Sequence, residues 1–295
     1  MAYAYYDGRF VERSAVGIDP ADFGFSRGIV ISDVIRVYDG TPFHLDDHLD
    51  RLALGAGIVS VVPPDDAEAL LQIIPELVAK NGFSHSVVKV YLTGGECMQP
   101  DILSFAACRA FTPHLLIVED DFEPRHPEAP YGLEAYQRGQ RLKVVPFARE
   151  LPMVKSANYM LGFYAARKHV RDCDDVIFTH PDGYVTQPTH SNFFCVIDGV
   201  LMTPARGMLR GVTRKVILSL AERHGIPARE CDLFPADLAR ATECFKTGST
   251  VEMVPVRQID DHILPTTMEG PVFRQLRRAF TDYVNEYSGR VAQAA

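Results

Sequence analysis

Short segments rich in β-branched and aromatic residues, bounded by turn dipeptides, constrain the fold of this chain more than any other feature. Residues 29–38 (IVISDVIRVY) run into Asp39-Gly40, and residues 193–197 (FFCVI) run into another Asp-Gly pair. Such segments are typical of strands that end in tight turns. Amphipathic segments such as residues 64–80 lie between the predicted strands, but the two kinds do not alternate regularly. This irregular order predicts an α+β fold rather than a doubly wound parallel sheet.

A shift in composition predicts two domains in the 295-residue chain. Residues 119–124 (EDDFEP) are acidic and include a proline, and further prolines follow, which is typical of a linker. We therefore expect an N-terminal α/β domain over residues 1–121 and a C-terminal domain over residues 122–295. Hydrophobic residues make up 47% of the chain, a balance that is typical of globular proteins and excludes wholesale disorder.

The charge of the chain argues against two classes of partner. The formal net charge is −8, with 30 lysines and arginines against 38 aspartates and glutamates, and no basic stripe is present. Binding to nucleic acid or to an anionic membrane is therefore not expected. No apolar run reaches the roughly 20 residues that span a bilayer, and residues 1–9 do not resemble a signal peptide. These features predict a cytoplasmic protein.

The cysteines and histidines predict neither a disulfide framework nor a metal site. Six cysteines are scattered without a CxxC pair, so we expect reduced thiols. His44 and His48 lie four residues apart beside Asp46 and Asp47, but no further ligand follows at a diagnostic spacing. An acidic helix start explains this cluster, because carboxylates near a helix N-terminus are favoured by the helix dipole. We expect no metal.

Several short motifs could each bind or attack a small anionic molecule. A predicted helix starts with Val212 and Thr213 after a glycine, and its free N–H groups could hold a phosphate. Ser249 and Thr250 follow a predicted strand in a turn that could form a second cradle. Lys155 lies among apolar neighbours, and a desolvated lysine can lose its proton and act as a nucleophile. Taken singly, each motif is explained better as a helix start, a turn or a surface charge.

In their order along the chain, these motifs resemble the class IV aminotransferases, which are fold type IV enzymes that use pyridoxal 5'-phosphate (PLP). The matching segments are FHLDDHLDRL (43–52), RELPMVKSANY (149–159), GYVTQPTHSNFF (183–194), GVTR (211–214) and TGSTVEMVPV (247–256). The family includes branched-chain and D-amino-acid aminotransferases, (R)-selective amine transaminases and aminodeoxychorismate lyase. The resemblance implies a two-domain fold like that of D-amino-acid aminotransferase, a PLP-binding C-terminal domain over residues 122–295, an active site between the domains, and a homodimer.

The resemblance also assigns roles to single residues. Lys155 corresponds to the lysine that forms the internal aldimine with PLP and, once released, moves the substrate proton. Tyr159 corresponds to the tyrosine beside the phenolic oxygen of PLP, and Gln187 to the residue beside its pyridine nitrogen. The implied phosphate ligands are Arg51, Val212, Thr213, Ser249 and Thr250.

Three departures from the family pattern affect the chemistry and the substrate. Gln187 replaces the usual glutamate, so the charge that keeps the pyridine nitrogen protonated is missing. Ser32 replaces an aromatic residue of the substrate pocket. Gly94 stands where D-amino-acid aminotransferases have an arginine that grips the substrate carboxylate. Arg27 could act as a substitute for that arginine, and Thr189 could lie near the substrate.

The predicted activity is a ping-pong transfer of an amino group between a small amino acid or amine and a 2-oxo acid. Two alternatives stay open: a PLP-dependent lyase of the aminodeoxychorismate type, and a degenerate relative that binds PLP with little activity. Transfer to 2-oxoglutarate separates a transaminase from a lyase, because a lyase releases pyruvate or ammonia. A change in the absorption of the bound cofactor on adding amino donors argues against a degenerate relative.

Overall fold

The computed structural model describes residues 2–97, 111–122, 136, 138–169, 171–266 and 270–294 of the chain. The chain packs into two compact units. The first comprises Met1–Glu123, Val154–Asn158 and Ser288–Ala295, and the second comprises Pro124–Met153 and Tyr159–Tyr287. The short segment Val154–Asn158 therefore packs with the first unit, although both of its neighbours along the chain belong to the second.

The first unit is built on an antiparallel sheet of six strands. The strand bounds are β1 Tyr3–Tyr6, β2 Arg9–Glu12, β3 Val30–Tyr38, β4 Thr41–Pro42, β5 Ser86–Thr93 and β8 Leu115–Asp121, while β6 Glu96–Cys97 and β7 Phe111–Thr112 form a separate ribbon. The strands of the sheet lie in the order β2-β1-β8-β5-β3-β4. Strands β3 and β5 pair along most of their length, from Val30 opposite Thr93 to Val37 opposite Ser86. Strand β3 is thus paired with β5 along most of one side, whereas β4 pairs only with Val37 and Tyr38 on the other side.

Four helices lie wholly within the described part of the first unit. They are the 3-10 helix Arg13–Ala15, α1 Phe23–Arg27, α2 Leu45–Val59 and α3 Ala67–Asn81. Helix α3 begins where the Asp66 side chain accepts a hydrogen bond from Ala69 N, and it ends at Gly82 with a φ of 71°. An aspartate at the N-cap and a left-handed glycine at the end are favoured helix boundaries. The apolar face of α3 is buried in the core through Leu70, Ile74 and Leu77.

The second unit is built on a mixed sheet of nine strands. Their bounds are β9 Gln140–Val145, β10 Asp175–Thr179, β11 Val185–Pro188, β12 Asn192–Ile197, β13 Val200–Pro204, β14 Ala228–Cys231, β15 Glu243–Gly248, β16 Glu252–Ile259 and β17 His262–Ile263. The order is β11-β10-β9-β16-β15-β12-β13-β14, and β17 pairs with β16. Strand β9 runs parallel to β10 and β16, and β13 runs parallel to β14, whereas the other pairs are antiparallel. The antiparallel sheet of the first unit and the mixed sheet of the second, each with its helices, are the α+β arrangement that the sequence predicted.

Helices and aromatic side chains cover the second sheet. The helices are α4 Met160–Lys168, α5 Val212–Arg223, α6 Pro235–Leu238 and α7 Pro271–Ala294. Phe194 and Phe245 stack with their ring centroids 5.0 Å apart, and Phe273 of α7 meets Phe245 edge-on at 5.4 Å. All three rings are almost completely buried. They attach the start of α7 to strands β12 and β15.

The thiols agree with the sequence prediction except at one position. Cys173, Cys195, Cys231 and Cys244 are free. Cys97 is disulfide-bonded, which corrects the expectation that the cysteines are reduced. Its partner lies outside the described residues, and a scattered cysteine pattern cannot identify one bridged pair. Among the described helices, none has both the length and the apolar character to cross a membrane.

A buried ion pair links strands β10 and β15 in the second unit. Lys246 Nζ donates to Asp175 Oδ2 at 2.6 Å, and the side chains are 1% and 5% exposed. The other carboxylate oxygen of Asp175 accepts from Thr189 Oγ1 at 2.8 Å. Burial alone would raise the pKa of Asp175, but Lys246 and His190 hold it below its usual value. The buried charges of Lys246 and Asp175 therefore balance one another, and among the described residues neither has another opposite charge as close.

Removing one member of this pair should cost far more than breaking a surface pair. We expect Lys246→Met to lower the free energy of unfolding by about 3–5 kcal/mol, because Asp175 would stay buried without its cation. The control is Arg240→Met, which breaks the exposed Arg240–Asp198 pair and should cost about 1 kcal/mol or less. Urea unfolding at pH 7 measures both values, and equal losses would contradict the expectation.

Candidate active site

The segment around Lys155 is attached to strand β3 by main-chain hydrogen bonds. Ser156 forms an antiparallel bridge with Ile31. Ser32 N donates to Lys155 O at 2.7 Å, and the Ser32 hydroxyl donates to the same oxygen at 3.3 Å. Val154, which is 2% exposed, belongs to the core of the first unit. The backbone position of the lysine is therefore fixed by a buried strand and a buried neighbour.

The side chain of Lys155 is half-buried and its amine has no partner in the described part of the chain. Every polar contact found there for Lys155 involves its backbone carbonyl. A partly desolvated amine that is not held by a carboxylate is suited to nucleophilic attack on a carbonyl compound.

Three polar side chains form a buried cluster between strand β3 and helix α2. Asp33 accepts from Arg51 through both carboxylate oxygens, from Nε at 2.9 Å and from Nη2 at 2.7 Å. His48 Nδ1 lies 2.7 Å from Asp33 Oδ1, and both side chains are 1% exposed. Burial alone would raise the pKa of Asp33, but Arg51 and His48 hold it well below its usual range. The carboxylate therefore stays charged and orients the Arg51 guanidinium.

His48 is a neutral member of this cluster. Burial lowers its pKa, Asp33 opposes that shift, and the charges of Arg51 and Lys155 lower it further. A neutral imidazole beside a carboxylate donates its Nδ1 proton to Asp33. Because Lys155 acts on the pKa of His48, the lysine amine lies within electrostatic reach of the cluster.

In the second unit, the amide of Gln187 is held in one orientation. Leu209 N donates to Gln187 Oε1 at 2.6 Å, and Gln187 Nε2 donates to Pro188 O at 3.2 Å. The two contacts agree on which atom is the oxygen and which is the nitrogen. Gln187 is 2% exposed, and its Nε2 keeps a second proton that it can donate. The oxygen is already committed to Leu209.

The start of helix α5 offers uncapped N–H groups. Gly211 is its N-cap and provides no side-chain oxygen, and no acidic residue lies in the first turn. A Cβ at this position would overlap Asn192 Oδ1, so any other residue would have to displace that side chain. Val212 and Thr213 are both 5% exposed. Uncapped donors at a buried helix start suit an anion such as phosphate.

Two buried hydroxyls near this helix start also lack partners among the described residues. They are Ser191 Oγ and Thr247 Oγ1. Thr247 lies opposite Asn192 in the sheet register, and Ser249 and Thr250 follow in the half-buried turn after β15. A buried hydroxyl without a partner costs free energy, so a ligand that brings acceptor atoms would stabilise this region. The donor set therefore fits a phosphate group.

The remaining predicted residues lie in different surroundings. Tyr159 is the N-cap residue of α4 and is 39% exposed. Thr189 is engaged with Asp175, as described above. Arg27 is exposed and donates to Ser26 O at 2.9 Å. The structure brings Ser32, Lys155 and Arg51 together in the first unit, and it joins Arg27 to none of them.

Sequence reasoning missed the role of His48 and its partner. It explained His44 and His48 as part of an acidic helix start, and the described residues contain no cluster of ligands for a metal ion. The available signal was the spacing of His48 and Arg51, because residues three apart share one face of a helix. That face meets the buried carboxylate of Asp33 on strand β3.

The comparisons with known proteins agree with this architecture. A putative branched-chain-amino-acid aminotransferase of Methanocaldococcus jannaschii is 28% identical over 97% of this chain and 98% of that protein. A D-alanine aminotransferase of Listeria monocytogenes is 29% identical over 96% of both. A crystal structure of the branched-chain aminotransferase of Thermoproteus uzoniensis with norvaline has a TM-score of 0.81 at 28% identity, covering 95% of this chain and 93% of that one. The protein is therefore an enzyme with an aminotransferase fold.

The family assignment is equally direct. The family model described as amino-transferase class IV matches residues 31–259. The matched region includes both the lysine segment on β3 and the helix start at Val212. The chain belongs to the class IV aminotransferases.

The neutral state of His48 predicts how stability depends on pH. Its pKa in the folded protein lies below 6.5, so the unfolded chain takes up the proton more readily as the pH falls. Stability from this residue is therefore present above about pH 6.5 and is lost below it. We expect His48→Asn, which keeps a donor for Asp33 but cannot titrate, to lose less stability between pH 7 and pH 5 than the unmodified protein.

Urea midpoints at pH 7, 6 and 5 measure this difference. The control is His224→Asn at an exposed position, which should leave the pH dependence as it is in the unmodified protein. An unchanged slope for His48→Asn would show that His48 is not held neutral.

Proposed function

We propose that this enzyme is a PLP-dependent aminotransferase that moves an amino group between a small amino acid or amine and a 2-oxo acid. The observation that carries the proposal is the half-buried Lys155, whose backbone is bonded to strand β3 while its amine has no partner in the described ranges. When bound, PLP supplies an electron sink that makes the substrate Cα proton acidic. The Lys155 Nζ would bind the cofactor and, once released, move that proton.

The proposed phosphate ligands differ in what they contribute. Val212 and Thr213 provide N–H groups at the start of α5, while Ser249 and Thr250 provide a turn with hydroxyls. Arg51 would add a positive charge, which Asp33 orients. Orphaned hydroxyls in the same region support this fit, because a phosphate brings the acceptors that they lack.

The cluster of Asp33, His48 and Arg51 would control the charge near the lysine. Asp33 balances the guanidinium of Arg51, and His48 stays uncharged. The cluster therefore adds little net charge beside Lys155.

Gln187 is the residue that most changes the expected chemistry. Its oxygen already accepts from Leu209 N, and its Nε2 keeps a second proton, so we propose that Nε2 is the atom that faces the ligand and donates to it. A donor favours an unprotonated pyridine nitrogen over a protonated one. We therefore propose that the cofactor is a weaker electron sink here than in relatives with a glutamate, and that transamination is correspondingly slower.

Arg27, Ser32 and Thr189 are the proposed substrate residues. Ser32 occupies little space, and its hydroxyl is bonded to the carbonyl of Lys155. Tyr159 is proposed to contact the phenolic oxygen of PLP. The proposal also includes the domains 1–121 and 122–295, a homodimer and a cytoplasmic location. A lyase remains the alternative. A putative 4-amino-4-deoxychorismate lyase of Legionella pneumophila has a TM-score of 0.78, but its 22% identity shows the fold alone.

Removal of Lys155 tests the proposed activity directly. The purified protein with PLP should show the yellow band of the lysine-bound cofactor, and one donor from a panel of D- and L-amino acids and (R)-amines should bleach it. Lys155→Ala should lose the band and the activity, whereas Lys168→Ala, at an exposed position of α4, should keep both. A band in Lys155→Ala, or release of pyruvate without transfer to 2-oxoglutarate, would overturn the proposal.

Gln187→Glu tests the weaker electron sink. We expect the bleaching rate to rise by about tenfold, which corresponds to ~1.4 kcal/mol of barrier. The new carboxylate would also face Pro188 O, so some loss of stability is expected. Gln258→Glu is the matched control, since Gln258 Nε2 also donates to a backbone carbonyl, that of Asp260. It should lower stability without accelerating bleaching, and an equal or slower rate in Gln187→Glu would contradict the hypothesis.

A further inference from the structure

His114 lies between two carboxylates, with one at each nitrogen of its ring. Its Nδ1 is 2.5 Å from Asp7 Oδ2, and its Nε2 is 2.8 Å from Glu96 Oε2. A neutral imidazole carries a single N–H and can donate to only one of these oxygens, whereas the imidazolium donates to both. In the neutral ring, the second nitrogen would turn a lone pair toward a carboxylate. The observed geometry is therefore that of the protonated ring.

The three side chains join three parts of the first unit. Asp7 lies in the turn between β1 and β2, Glu96 lies in the ribbon of β6 and β7, and His114 directly precedes β8. Two hydrogen bonds attach the turn to β8 whatever the charge of the ring: Asp7 N donates to Leu115 O at 3.1 Å, and Leu115 N donates to Asp7 Oδ1 at 2.8 Å. Glu96 has no partner other than His114 in the described ranges. The side-chain link between ribbon and turn therefore depends on the ring.

The ribbon begins beside the strands that hold the lysine segment. Thr93, the last residue of β5, pairs with Val30, and Val30 O accepts from Ala157 N at 2.9 Å. Thr93 N donates to His114 O at 2.9 Å, and Gly95 N donates to the Thr93 hydroxyl at 3.1 Å. His114 is thus bonded through its own backbone to the strand end from which the ribbon starts.

The charges around His114 favour the protonated ring. Burial alone would lower its pKa, but the hydrogen bonds to Asp7 and Glu96 raise it above the usual value. Neither carboxylate has a lysine or arginine partner in the part of the chain that the structure describes. The Tyr6 ring lies 6.0 Å from that of His114 between ring centroids. The carboxylates that act on this tyrosine are those of Asp7, Asp19, Asp22 and Glu96.

We propose that His114 is a pH-sensitive clamp that holds the ribbon of β6 and β7 to the turn after β1. When the ring loses its proton, one of its two contacts becomes repulsive. Because Asp7 stays bonded to Leu115, the contact that opens is the one with Glu96. Stability from the clamp is present below about pH 6.5 and is lost as the pH rises through the higher pKa of the folded protein. The clamp needs neither cofactor nor substrate, so it is independent of the proposed function.

The first test is a titration of the His114 ring by nuclear magnetic resonance, with the resonance assigned from its absence in His114→Gln. Asp7→Asn and Glu96→Gln should each lower the midpoint pH, because each removes one charge that favours the imidazolium. Asparagine also tolerates the positive φ of 44° at position 7. Asp182→Asn, which removes an exposed carboxylate of the second unit, is the control and should leave the midpoint unchanged. A midpoint that neither Asp7→Asn nor Glu96→Gln lowers would overturn the proposal.

The second test follows amide hydrogen exchange of the ribbon at about pH 6 and about pH 9, with labelling times scaled to the intrinsic exchange rates. In the unmodified protein, protection of the peptides that contain Glu96 and Phe111 should fall about tenfold or more at the higher pH. His114→Gln should remove this pH dependence, because glutamine does not titrate. His180→Gln is the matched control, since His180 lies beside a single carboxylate, and it should keep the pH dependence.

Glu96→Gln separates a titrating clamp from a purely structural contact. The amide can accept from the protonated ring and donate to the neutral one, so the ribbon should stay protected at both pH values. Loss of protection at the higher pH in Glu96→Gln, or equal pH dependence in His114→Gln and the unmodified protein, would overturn the proposal. Thermal unfolding detects misfolding of a variant, and if His114→Gln does not fold, the retained protection in Glu96→Gln decides.

Discussion

The hydrogen bonds between the lysine segment and strand β3 are the constraint on which the site depends. They attach Lys155 to a strand that also carries Asp33, so two residues distant in sequence become neighbours. Asp33 in turn fixes His48 and Arg51 on helix α2. A lysine on a mobile loop would sample many positions, whereas a main-chain bridge to a buried strand leaves only the side chain free to move. A lysine that first binds a cofactor and is later released from it needs both a fixed backbone and an amine that is free to move.

The second unit contributes donors rather than charge. Its buried Lys246 is paired with Asp175. The polar groups that remain near Gln187 are therefore the uncapped N–H groups at the start of α5 and the hydroxyls of Ser191 and Thr247, which lack partners among the described residues. Neutral donors in a buried setting bind an anion through preorganised dipoles. Gln187 is also neutral: an oriented amide stands where the family usually has the ionised carboxylate of a glutamate. The two units thus differ in kind: the first balances charges around an amine, and the second orients dipoles.

Local signals in the sequence were sufficient for the elements and for several site residues. Turn dipeptides and periodicity predicted strand β3 and helix α3, and a glycine before Val212 predicted the helix start. The cluster around Asp33 could not be derived in this way, because burial and register decide which charges meet. The prediction of reduced cysteines was wrong at Cys97 for a related reason, since spacing alone does not identify a bridged pair.

The first unit is built from three separate segments of the chain, and this determines when its parts can pack during synthesis. The unit includes Val154–Asn158 and Ser288–Ala295 in addition to its N-terminal part. Its strand β3 therefore keeps open hydrogen-bonding groups along one edge until the ribosome has made residue 158, and the other late part of the unit can join only after Ser288–Ala295 has been made. An open edge on a nascent chain can pair with other chains. Contacts of such long sequence separation form slowly, so the segment that carries Lys155 can join strand β3 only after more than half of the 295 residues have been made.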